Sequence, residues 1–98
     1  EAWNAPEDRA VSIARARVRP GVRTALHRLD GIVERYLILE GNGVVEVGAL
    51  PPERVGPGDV VVIPAGVPQR IYNDDREDLV FYCICSPAFE QERYEGLE

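Results

Sequence analysis

His27 is the only imidazole in the chain, so no centre that needs two histidines can form within one subunit. Taken alone, a single His in a β-rich sequence is more often a packed or hydrogen-bonded side chain than a ligand. Cys83 and Cys85 stand two apart in an apolar run. On a strand their side chains share a face, yet their backbones lie too far apart for an unstrained disulfide, so both are expected as reduced thiols. By default such cysteines are small buried hydrophobes. Glu34, beside Arg35, is by default a solvated strand residue, and Tyr36 shares its face, where it either donates a proton into a pocket or fills the core. Other chemistries lack their residues. Without Lys there is no Gly-Lys-Ser/Thr phosphate loop. Ser12 and Ser86 sit in no nucleophile motif, Asp74 and Asp75 fall in a turn where they are solvated, and no zinc-finger spacing occurs.

The elements that must position these groups read as strands. Val11 and Ile13, then Arg15, Arg17 and Arg19, alternate in twos until Pro20-Gly21. A second strand is expected from Val22 to Leu29, closed by the turn pair Asp30-Gly31. Strand-like runs on either side of Gly41-Asn42-Gly43 predict a hairpin within Val33 to Val47. Pro57-Gly58-Asp59 leads into Val60–Ile63, Pro64 to Pro68 stops it, and further strands follow at Gln69–Tyr72 and Leu79–Ile84. Ser86-Pro87-Ala88-Phe89 carries the signature of a short helical turn. Short strands with a turn at each end predict an all-β sandwich or barrel. The division is an N-terminal arm at 1–10, a barrel at 11–86 and a C-terminal tail at 87–98, the arm being either loose or an edge strand added by a partner.

At 98 residues, 45% hydrophobic and 29% charged, the chain has the composition of one globular domain. A net charge of −6 argues against nucleic acid, which demands excess Lys and Arg. No apolar stretch reaches the roughly 20 residues of a membrane span. The start has no signal-like layout, and reduced thiols fit a cytoplasmic home. Without any Met the native start is expected upstream of Glu1, and Leu97-Glu98 reads as a cloning remnant. Leu37 and Leu39 alternate with Tyr36 and Ile38, and Leu79 to Cys85 has no polar side, so the outer face needs a cover. A second copy is the simplest one, and a homodimer is expected.

Two blocks of spacing carry a family signature. In the first, Gly21 is followed after five residues by His27, then by Leu29, Glu34 and Gly41; in the second, Gly58 is followed by Pro64, Gly66, Gln69 and Asn73. The spacing resembles the two motifs of the cupin family, over Pro20 to Pro87, with Leu29 and Gln69 standing where that family has His. The resemblance implies an all-β, cupin-type double-stranded β-helix (a jelly-roll barrel) in a single domain. It also implies a divalent metal ion, Mn, Fe, Ni or Zn, held by His27, Glu34 and the amide oxygen of Gln69, with Tyr36 and Cys83 lining the cavity. One imidazole, one carboxylate and one amide are a poorer set than transition metals prefer, so reduced affinity is expected. Two functions follow from the resemblance: a metal-dependent oxygenase or isomerase-like enzyme on a small molecule, or a metal-free module that binds a small organic ligand.

Overall fold

A computed structural model describes residues 3–98. The alternating runs form strands β1 (Ser12–Val18), β2 (His27–Leu29), β3 (Val33–Glu40), β4 (Gly43–Val47), β5 (Glu53–Val55), β6 (Val60–Ile63), β7 (Gln69–Tyr72), β8 (Leu79–Ser86) and β9 (Tyr94–Gly96). They pair antiparallel in two sheets, ordered β1-β8-β3-β6 and β5-β4-β7-β2-β9. Among these strands every connection but β4 to β5 passes from one sheet to the other. That is the jelly-roll route, and it stacks the inner faces of the two sheets against each other.

The core follows from the alternation. Tyr36, Ile38, Ile63, Ile71, Leu79 and Phe81 are buried in one cluster, with the Tyr36 and Phe81 rings 4.6 Å apart. A smaller cluster of Leu29, Ile32 and Cys85, with Phe89 against it, fills the other end, and Cys83 packs on both.

Three local expectations are corrected. The segment Val33 to Val47 is no hairpin, because β3 and β4 lie in different sheets. Its ladder with β8 is irregular between Ile38 and Glu40, and the turn at Gly41, with φ of 78°, presses on the Asp78 carbonyl where a side chain would not fit. The turn therefore carries the chain across the barrel. The second strand covers only His27–Leu29. Ahead of it Thr24 takes the hydrogen bonds a longer strand would make, its N–H donating to the Ile71 carbonyl and its hydroxyl oxygen accepting from the Ile71 N–H, both at 2.9 Å. No helical turn forms at Ser86 to Phe89, since Ser86 still pairs with Val33; a single 3-10 turn comes later, at Gln91–Arg93.

Both ends of the described residues are tied to the barrel. Within the described part of the arm, Trp3 bridges Ile13 of β1, while residues 1 and 2 lie outside the described residues. The tail supplies β9, which pairs with β2, His27 opposite Gly96 and Leu29 opposite Tyr94. No helix among the described residues is long and apolar enough to cross a membrane.

Candidate metal centre and cavity

β3 presents Glu34 and Tyr36 inward and Arg35 outward, the period-2 consequence of a half-buried strand. Register with β8 sets Glu34 opposite Cys85 and Tyr36 opposite Cys83. Both cysteines thus stand beside the carboxylate on the inner face. On the second sheet, His27 and Gln69 are direct cross-strand partners. Next to Gln69, Arg70 pairs with Glu46 of β4 at 2.7 Å, holding that carboxyl below its usual range and bracing the strand that carries Gln69.

Glu34 is 5% exposed, and both its oxygens accept hydrogen bonds, as a carboxylate's do. Gln69 Nε2 donates to Oε1, and the Cys83 thiol donates to Oε2. Gln69 is itself fully buried, and its amide oxygen accepts from the Tyr36 hydroxyl. Burial, then the nearby Glu34 charge, pushes the Tyr36 phenol well above its usual range, so it remains a donor. The Cys83 and Cys85 sulfurs lie 4.0 Å apart. Their mutual hydrogen bond, followed by burial and the Glu34 carboxylate, pushes the Cys83 thiol up. It stays protonated until a cation offsets the charge.

His27 reaches the same space from the opposite sheet. Its Nδ1 lies 2.9 Å from the Ala25 carbonyl oxygen, and its ring stacks on Tyr94 with centroids 5.0 Å apart. A carbonyl only accepts, so in the neutral ring Nδ1 carries the proton and Nε2 keeps a free lone pair. His27, Glu34, Cys83 and Cys85 all line one cavity of about 210 Å³, together with Leu29, Phe89 and Tyr94.

Of the residues expected from the sequence, His27, Glu34 and Cys83 line one cavity. Glu34 and Cys83 stand close together on one sheet, and His27 is on the facing sheet, outside the group of ligand atoms that lie within 4.8 Å of one another. Gln69 and Tyr36 form the buried chain of hydrogen bonds that fixes Glu34 from behind. Leu29, in the position of a family histidine, is an apolar part of the lining and 3% exposed. Sequence reasoning missed Cys85 as a polar partner of the site, although its period-2 spacing from Cys83 was the signal. It also missed Phe89 and Tyr94, whose signal was two aromatic residues in an otherwise polar tail.

A family model described as "Cupin domain" matches residues 14–85. The chain belongs to the cupin family. Among curated proteins, this cupin is 36% identical over 87 residues to an uncharacterized protein of Methanocaldococcus jannaschii, covering 89% of this chain and 69% of that one. Among solved structures it is similar to a predicted oxalate decarboxylase of Thermotoga maritima, with 30% identity and a TM-score of 0.76 over 83% of this chain and 70% of the other. It also superposes on an uncharacterized Klebsiella pneumoniae protein with a double-stranded β-helix domain, at 16% identity and a TM-score of 0.81, over 92% of this chain and 76% of that one. The all-β jelly roll seen here is that double-stranded β-helix.

Cupins often hold divalent metals, and the donor chemistry of this cavity suits one. One carboxylate oxygen and the two sulfurs lie within 4.8 Å of one another. His27 lines the same cavity but stands outside that group.

Proposed function

We propose that this cupin is a metal-dependent enzyme of the oxygenase or isomerase-like kind, acting on a small molecule, with a divalent cation held by Glu34 and His27. The observation that carries this is the environment of Glu34. It is a buried carboxylate whose oxygens meet only neutral donors, and among the described residues it has no basic partner within ion-pair distance. A charge so placed costs stability unless a cation joins it. Gln69 and Tyr36 act as positioning residues that aim Glu34 into the cavity.

A bound divalent cation would supply Lewis-acid polarisation of an oxygen on the substrate. The chain's own residues supply the rest. His27 is fixed in one tautomer by Ala25, and Leu29, Phe89 and Tyr94 offer apolar and aromatic contact. At about 210 Å³ the cavity is smaller than the roughly 300–1,000 Å³ of drug-sized sites. A substrate with few heavy atoms fits. Similarity to a predicted oxalate decarboxylase at 30% identity supports a reaction on a small molecule, without favouring an oxygenase or an isomerase.

The test is cation content of untagged protein after incubation with Mn, Fe, Ni or Zn and removal of free ion. Close to one ion per chain is expected, and His27→Ala should weaken binding by about tenfold or more. Occupancy below about 0.1 ion per chain with every metal would end this reading and leave the barrel as a metal-free binder of a small organic ligand.

We further infer that the protein works as a homodimer in a reducing, cytoplasmic setting, the two free thiols suiting such a compartment. The outer face of the β1-β8-β3-β6 sheet carries cross-strand rows Ile13–Ile84–Arg35–Val62 and Arg15–Tyr82–Leu37–Val60, apolar or aromatic except for Arg35 and Arg15. Val60 is 58% exposed and Val62 is 53% exposed. Burial of such a face contributes roughly 25 cal/mol per Å². Sedimentation at micromolar concentration should give twice the chain mass, with Val62→Glu shifting it to the monomer. A monomeric wild type would refute the dimer.

A further inference from the structure

We propose that Cys83 and Cys85 are themselves ligands, making the centre a thiophilic one that takes zinc-like ions in preference to manganese. The inference rests on the cation reading above and names the class of ion.

Geometry supports it first. The sulfurs are 4.0 Å apart. A tetrahedral ion with metal–sulfur bonds of about 2.3 Å holds its two sulfurs about 3.8 Å apart. The pair is therefore spaced for a shared ion, and far from the roughly 2.05 Å of a disulfide. Placement supports it next. Both residues lie on β8, hydrogen-bonded to β1 on one side and β3 on the other, so the backbone that carries them is fixed. Cys85 is 3% exposed and sits opposite Glu34 in the ladder.

Chemistry then decides the ion. A buried hydrophobe needs no polar partner, but the Cys83 thiol is aimed at Glu34 Oε2, so a proton already bridges sulfur and carboxylate where an ion would stand. Binding exchanges protons for the cation: one divalent ion plus two thiols and one carboxylate gives the bis-thiolate carboxylate complex and releases two protons to water. The set already within reach of one ion is two sulfurs and one carboxylate oxygen, and His27, which lines the same cavity outside that group, would have to approach it to add a nitrogen. Such a set favours zinc-like ions, whereas manganese prefers oxygen donors. An ion without redox chemistry also points the reaction toward Lewis-acid catalysis and away from dioxygen activation.

Cobalt(II) titration of the whole chain, followed by absorption spectroscopy, tests this without any activity assay. The expected result is a thiolate-to-cobalt charge-transfer band in the near ultraviolet, weakened in Cys83→Ala and in Cys85→Ala and lost in the double variant. Zinc should displace cobalt, and manganese should compete with it about 100-fold less well than zinc. If cobalt binds without the band, or manganese competes as well as zinc, the thiols are not ligands while the cation reading stands. If no ion binds at all, both fall. Should a variant fail to fold, the wild-type band and the zinc-against-manganese competition still decide.

Discussion

Glu34→Gln is expected to raise the melting temperature of the metal-free protein by about 4 to 8 °C, the equivalent of about 1 kcal/mol in a domain of this size. The same change should weaken divalent-cation binding by about 100-fold or more, since it removes a charged ligand. The two effects have one cause. The ion pairs of the described residues join partners with substantial exposure, such as Arg28 with Glu95 and Arg54 with Asp74, and none of them includes Glu34. Its carboxylate is 5% exposed and is answered only by an amide and a thiol. Glutamine keeps the volume and the oxygen that accepts from Gln69 while discarding the buried charge. A residue that costs stability yet is held by a dedicated hydrogen-bond chain has the profile of a functional group. Thermal melts in chelator and cation titration of both proteins check the two halves. Cation affinity unchanged in the variant would remove Glu34 from the centre, and a large fall in melting temperature would show that the charge is already compensated.

The parts of the site that were legible in the sequence are those fixed by short-range pattern. Glu34 was legible as inward-facing from its motif spacing to His27 and Gly41, and Tyr36 then shares its face by the period of two, whereas Leu37 and Leu39 make the other face apolar as well and leave the alternation alone undecided. An all-β sandwich or barrel was legible for similar reasons, since each turn is marked by Gly, Pro or Asp, while the jelly roll within that class came from the resemblance to the cupin motifs. What stayed hidden depends on register between distant strands. β8 is apolar on both faces, so its sequence marks no inner side, and only pairing with β3 and β1 brings Cys85 opposite Glu34. Gly41-Asn42-Gly43 misled for a related reason. The same turn residues serve a hairpin or a crossing between sheets, and the choice is made by partners β5 to β8 further along the chain. The tail was invisible as a cavity wall because Tyr94 reaches His27 only after β9 docks on β2.

That hidden register bears on Gln69, whose expected role as an amide ligand competes with the role its contacts describe. Gln69→Leu should destabilise the fold by about 2 to 6 kcal/mol, because it strips a buried acceptor from the Tyr36 hydroxyl and a buried donor from Glu34, at about 1–3 kcal/mol each. Tyr36 is 4% exposed and Gln69 is 1% exposed, so water cannot replace either bond without opening the core. Tyr36→Phe alone leaves the Gln69 oxygen unanswered. Combined with Gln69→Leu it removes both ends of that bond, so the double variant should be more stable than the sum of the single losses by about 1 kcal/mol or more. Denaturant melts of the four proteins measure the coupling. Cation affinity across the same set then separates the two roles. If Gln69 only props Glu34, Tyr36→Phe leaves affinity within a few-fold of wild type and Gln69→Leu lowers it. If its amide oxygen is a ligand, releasing that oxygen from Tyr36 strengthens binding instead, and the positioning role assigned to Gln69 fails.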